Sequence, residues 1–242
     1  MKCVASAERR SEKVLCAWLL AILAAALVAC APRIAVQTSA APAQTPANFP
    51  EAYYRQLETR GSEVLRVDSL HSLVTIEVHR AGVLARLGHD HVVASHDVRG
   101  YVAPAEGRSD IYVQLDRLTV DEPDLRTQAG FNTQPSQEAI DGTRTNMLTK
   151  VLEAKHFPFA VIRVSRGESA ESTLNVAITL RGTTRSMAVP AEISSDPQRV
   201  SVSGKLSFKQ SDFGIVPLSV LGGALQVQDR LDLRFRILAG DS

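Results

Sequence analysis

The feature that most constrains this chain is a strict alternation of apolar and polar residues. It recurs over most of the sequence after Val64. In the last such stretch Leu225, Val227, Leu231, Leu233, Phe235 and Ile237 fall on one face. Gln226, Gln228, Arg230, Asp232, Arg234 and Arg236 fall on the other, and only Asp229 interrupts the apolar row. A period of two means extended strands with one face buried and one face wet. The same pattern groups Val74, Ile76 and Val78, then Ile111, Val113 and Leu115, then Ile162 and Val164. It returns in Leu174, Val176, Ile178 and Leu180, and in Val200, Val202, Leu206 and Phe208, where Gly204 reads as a bend or bulge. One-sided strands of this kind belong to antiparallel sheets, and about eight of them point to a sandwich or a closed barrel.

One segment breaks the rhythm. Ile140, Met147, Leu148, Val151 and Leu152 lie at helical spacing within 137–155, ahead of Phe157-Pro158. This predicts a helix crossing one end or flank of the sheet, with Pro158 barring its continuation. A short helix is also expected over Glu51 to Thr59, with Tyr53, Tyr54 and Leu57 on one side.

The N-terminus carries a different message. Lys2, Arg9, Arg10 and Lys13 precede an apolar run from Val14, which ends in Leu27-Val28-Ala29-Cys30. Charged, apolar and small-residue regions in that order make an export signal, and the run is short for a membrane span of about twenty residues. A cysteine at the cleavage point marks a lipoprotein signal over 1–30 with Cys30 as the acylated residue. Ala31, rather than Asp, favours the outer membrane. Residues 31–60 then read as an Ala/Pro-rich tether and 61–240 as the folded domain. The only other cysteines, Cys3 and Cys16, lie inside the signal, so the folded part has no disulfide or thiolate chemistry. Formal net charge is +1 and no basic block appears, which argues against nucleic acid.

Several short motifs occur in order: Val83-Leu84-Ala85-Arg86-Leu87-Gly88-His89-Asp90-His91, Lys155-His156-Phe157-Pro158, Leu180-Arg181-Gly182-Thr183-Thr184, and Ser211-Asp212-Phe213-Gly214-Ile215. Together they resemble the YceI-like family of bacterial exported proteins, over roughly Val64 to Ala239. The resemblance implies an all-β fold, an eight-stranded antiparallel lipocalin-like barrel with one helical crossover. It also implies an apolar lumen that holds a polyisoprenoid chain. Two positions depart from the family pattern: Arg144-Thr145 stands where Arg-Asp is common, and Lys209-Gln210-Ser211 lacks the arginine often found before Asp-Phe-Gly.

The residues allow two further readings of an eight-stranded barrel. It encloses room for its own side chains or for one slim ligand. If the lumen is open, its lining is Val74, Ile76, Val78, Val113, Leu115, Ile162, Val164, Val176, Ile178, Phe208, Leu231, Leu233 and Phe235. Each buried methylene of a hydrocarbon ligand would then contribute about 0.8 kcal/mol. His89, Asp90, His91 and Arg144 are candidates for a polar ligand end, with Arg86 near the mouth. Alternatively His89 and His91, about 6.6 Å apart on an extended strand, are candidate metal ligands that need a third group such as His71 or His156. Asp121, Glu122 and Asp124 around Pro123 read as a solvated loop. No catalytic constellation, cofactor or enzymatic reaction is expected. The expected partners are an apolar lipid and, through the anchor, a membrane; the sequence leaves open a homodimer.

Overall fold

The computed structural model describes residues 44–166, 173–196 and 198–240. The expected signal, Cys30 and the start of the tether lie outside these residues. The elements in chain order are α1 (Glu51–Thr59), β1 (Leu65–Val67), β2 (Leu73–Ala81), β3 (His91–Ser95), β4 (Val98–Ala103), β5 (Arg108–Gln114), β6 (Thr119–Val120), α2 (Pro123–Gln128) and α3 (Gln137–Asn146). They continue with β7 (Phe159–Arg166), β8 (Thr173–Leu180), β9 (Thr183–Asp196), β10 (Arg199–Lys209), β11 (Ser219–Val220) and β12 (Leu225–Gly240).

β1 and β2 are two stretches of one barrel strand, as are β3 and β4; β5 is extended by β6 beyond a 3-10 turn at Leu115–Arg117. Counted this way, consecutive strands pair throughout, and β12 returns to pair with β1 and β2. The result is a closed, antiparallel, eight-stranded up-and-down barrel, one of the two architectures that the alternation allowed and the one that the family resemblance implied. Closure matters because it leaves no open sheet edge.

Register explains how alternation becomes an interior. Val74 faces Phe235, Ile76 faces Leu233 and Val78 faces Leu231; Leu231 in turn faces Phe208, and Leu233 faces Leu206. Ile111 faces Ile162 and Ile162 faces Ile178, while Val164 faces Val176. Directly opposed residues share a face, so the apolar rows form most of the inner surface. Gly204 makes no bulge: it pairs regularly with Phe235 and Ala191. A Cβ there would lie 2.8 Å from the Phe235 ring and 2.9 Å from the Pro190 carbonyl oxygen, so glycine makes room for the ring. The irregularity lies in β12, where register shifts between Val227 and Leu231. That shift takes Asp229 out of the apolar row, and its carboxylate accepts from the Ser211 backbone N–H (2.8 Å) and hydroxyl (2.6 Å).

α3 covers one end of the barrel. Its N-terminus is capped by the Ser136 hydroxyl, which accepts from Ala139 N–H, and its last turn loosens into a π-turn at Met147–Val151. Ile140, Met147, Leu152 and Ala154 pack on the buried cluster of Val93, Val98, Ile111, Val113, Leu115, Leu118 and Val120. The stretch expected as a tether over 31–60 is folded from Gln44 onward, lying on the outer face of β4 and β5. Gln44 N–H donates to Gln114, Phe49 packs edge-on against Tyr112, and Tyr54 stacks on Tyr101. Beneath α1 the fully buried Asp110 accepts from Tyr54 (2.8 Å), Arg108 (2.7 Å) and Arg163 (2.8 Å). Burial works against this carboxylate, but the three donors outweigh it and hold its pKa below the usual range.

Candidate functional site

The barrel interior is apolar and unevenly filled. Near α3, inward residues are buried: Val93, Val98, Ile111, Val113 and Leu115 have almost no exposed surface. Val113 and Leu115, expected to line the lumen, therefore belong to the packed layer beneath the helix. Val176 is also buried. By contrast Val74, Ile76, Val78, Ile162, Val164, Ile178, Leu206, Phe208, Leu231, Leu233 and Phe235 remain only half-buried, although they sit on the concave side of a closed sheet. In a core filled by its own side chains such residues would lose nearly all their surface. Val74, Ile76, Val78, Ile162 and Phe235 pack against that buried layer yet keep part of their surface, so β2, β7, β8, β10 and β12 present a half-buried apolar inner face.

At the helix-covered end a polar network meets this inner face. His91 faces Val78 across the sheet and therefore points inward. Its Nδ1 lies 2.6 Å from an oxygen of Asp121, and its Nε2 lies 3.5 Å from the Thr143 hydroxyl on α3. Asp121 is buried rather than part of a solvated loop, contrary to the sequence reading. It accepts from Val92 N–H (3.0 Å) and from Arg126, which is completely buried. Arg126 also donates to the carbonyls of Asp90 and Thr133 and lies over the Phe131 ring. A buried guanidinium is tolerable only with such full pairing. Burial raises the Asp121 pKa, but the hydrogen bonds from His91, Val92 and Arg126 prevail and keep it below the ordinary carboxylate value. Asp121 adopts a left-handed backbone, φ 58°, a conformation uncommon outside glycine and tolerated best by Asn and Asp.

The four candidates for a ligand's polar end do not stay together. His91 is at the lumen, and His89 lies beside it with ring centroids 6.3 Å apart and a buried Nδ1 that has no partner. Asp90 turns the other way: it accepts from Arg80 N–H at 2.9 Å and lies 3.8 Å from His79 Nδ1. Arg144 donates to the carbonyls of Asp116 and Leu118, which fastens α3 across the barrel end. Among the described residues no three His, Cys, Asp or Glu side chains converge to hold a metal ion. His71 is instead paired with Asp68. Asp121, Arg126 and Thr143 were absent from the sequence-level site. The Pro123 start of α2 is a local helix signal, but no local pattern reports that the residues around it are buried.

A family model described as the YceI-like domain matches residues 65–239, which is most of the chain. The chain belongs to the YceI-like family. Among solved structures, a polyisoprenoid binding domain from Saccharophagus degradans implicated in plant cell wall breakdown is similar in fold. It has a TM-score of 0.53 and 11% sequence identity, over 75% of this chain and 99% of that one. Burkholderia cenocepacia BcnA gives a TM-score of 0.47 at 14% identity, over 71% of this chain and 98% of that one. A Campylobacter jejuni YCEI protein gives 0.41 at 14% identity, over 60% and 82%. No curated protein matches the sequence. Among the described residues no helix is long and apolar enough to cross a membrane.

Proposed function

We propose that this YceI-like barrel binds a hydrophobic, polyisoprenoid-type molecule in its lumen and serves as its carrier or store on the periplasmic face of a bacterial membrane. The observation that carries the reading is the row of half-buried Val, Ile, Leu and Phe side chains inside a closed sheet. The fold shared with a polyisoprenoid binding domain supports it. Binding would come from burial of the chain, at about 0.8 kcal/mol for each methylene removed from water. A polar terminus would meet the His91 Nε2 edge, Thr143 and the unpartnered Nδ1 of His89, while Arg144 and Asp90 keep structural duties. Export rests on the N-terminal signal, and anchorage on acylation of Cys30. No reaction is required of any residue.

The test is native mass spectrometry of the chain isolated from its membrane, followed by organic extraction. An adduct of several hundred daltons that belongs to an isoprenoid series supports the proposal. It should be lost from an Ile178→Trp, Val164→Trp variant, whose indoles fill the lumen, while circular dichroism stays that of a barrel. An unliganded wild type that also fails to take up added prenols would overturn it.

A further inference from the structure

The described residues include seven large apolar side chains that are strongly exposed, and five of them lie at one end of the barrel. Val83 (87% exposed) and Leu87 belong to the connection between β2 and β3. Val216 (82%), Val220 and Leu221 (69%) belong to the connection between β10 and β12. The two connections are fastened together: Leu84 N–H donates to the Ala224 carbonyl at 2.8 Å, and β11 pairs with the start of β12. They form one rim, at the same end of the barrel as His91 and α3.

Charge sharpens the picture. From Gly214 to Gln228 there is no ionisable side chain, and from Gly82 to Gly88 there is only Arg86, which is exposed. Surface segments with no acid, several bare aliphatic tips and one cation are poorly matched to water. They are well matched to the headgroup region of an anionic bilayer, where apolar tips enter and a guanidinium meets phosphate. The conformation of Leu221 points the same way. It holds φ 53° and is followed by Gly222 and Gly223 at 64° and 94°, so a bulky residue keeps a left-handed backbone at a turn where glycine would be unstrained. Its side chain is left in solvent, so packing within the barrel does not repay that strain. Val83 and Val216, which keep more than four-fifths of their surface, are projecting tips rather than the walls of a groove for a peptide.

We infer that Val83, Leu87, Val216, Val220 and Leu221, with Arg86, dock this barrel end onto a phospholipid surface. The docking does not rest on the lumen reading. Because an N-terminal anchor would also bring the chain to a membrane, the test must report which residues touch lipid. The full chain is placed in phosphatidylethanolamine–phosphatidylglycerol vesicles that carry a phospholipid with a photoactivatable acyl chain. After irradiation the adducts are mapped by mass spectrometry.

Adducts concentrated at 83–87 and 216–221, with none at the opposite connections 104–107 and 196–199, are the expected result. A Val83→Asp, Val216→Asp, Leu221→Asp variant should lower the rim adducts by more than about tenfold, since several buried aliphatic groups are lost at once. Its melting curve and its binding of prenols in detergent should stay unchanged. Adducts confined to the N-terminus, or spread evenly over the barrel, would overturn the inference. So would chain-to-chain crosslinks at the rim in place of lipid adducts, which would assign this patch to a second copy. Rim adducts in a chain that binds no prenol would leave the docking standing and remove the lumen reading alone.

Discussion

Replacing Gly204 by alanine tests how the lumen is shaped. A glycine inside a strand ordinarily weakens it, and substitution by alanine at a compatible site stabilises by about 0.4–1 kcal/mol, through the unfolded chain. Here the added methyl would lie 2.8 Å from Phe235 Cζ, 3.0 Å from its Cε1 and 2.9 Å from the Pro190 carbonyl oxygen. The carbonyl belongs to the paired backbone of β9 and cannot withdraw without stretching the ladder, so the ring must move. Overpacking of that kind costs about 1–3 kcal/mol. The balance is a net loss of about 0.5–2 kcal/mol, or a fall in Tm of about 2–6 °C for a domain of this size. Gly142 in α3 is the control: nothing lies within 4 Å of its Cβ position and its φ is ordinary, so Gly142→Ala should stabilise by up to about 1 kcal/mol. Both variants go through urea unfolding, with midpoint shifts at constant m taken as stability changes. The displaced ring can only enter the lumen, so Gly204→Ala should also weaken displacement of a fluorescent prenyl probe. A Gly204→Ala variant that is stabilised like Gly142→Ala, with unchanged probe binding, would refute this account of Phe235.

Other outcomes follow from the two buried carboxylates. Arg126→Met would leave Asp121 buried without its cation and the Asp90 and Thr133 carbonyls without their donor. A loss of about 3–5 kcal/mol is expected by chemical denaturation. Asp110 and Asp121 both have folded pKa values below the unfolded value of about 3.9. Their stabilisation is therefore complete above that value and is lost as pH falls through the folded values. Unfolding free energy measured from pH 6 down to pH 2 should drop below about pH 4 in the wild type. In Asp110→Asn the drop should be shallower, and equal slopes would count against the network.

Much of the barrel is readable in the sequence because closure imposes one rule on every strand. Leu231, Leu233, Phe235 and Ile237 must all face inward, and a single slip would turn the whole row to water. The crossover helix is readable for a similar reason, since Ile140 and Met147 share a face and Pro158 follows. What is not readable depends on partners far away in sequence. Asp110 alternates with Ile111 and looks like any wet-face residue; its burial depends on Tyr54, 56 residues earlier, and Arg163, 53 residues later. Asp121 looks like a loop acid until His91 and Arg126 close on it. The segment from Gln44 looks like a tether because its composition is poor in large apolar groups, yet Phe49 and Tyr54 suffice to seat it on Tyr101 and Tyr112. His89, Asp90 and His91 read as a cluster, but the start of β3 sends neighbouring side chains to different sides.

The placement of the polar networks bears on selectivity. Asp110 and its donors lie outside the barrel, and Asp121 with Arg126 lies at its covered end, so between them the wall is mostly hydrocarbon, with Ser95 opposite Val74, Ser109 opposite Val164 and Arg185 opposite Ile178 as its polar positions. Such a wall would recognise mainly length and girth, because Val, Ile, Leu and Phe side chains make up most of it. Leu174 to Leu180 spans six strand steps, about 20 Å along the strand and about 15 Å along a barrel axis at the usual tilt. Affinity measured across a series of prenols should therefore rise with each added unit while the chain is shorter than that depth. It should level off once the chain is longer than that depth. Changing the terminal group from alcohol to a neutral ring at fixed length should matter less than one isoprene unit, about 4 kcal/mol before ordering costs. An affinity independent of chain length, or set mainly by the terminal group, would mean that His91, Thr143 and His89, rather than the hydrocarbon wall, choose the ligand.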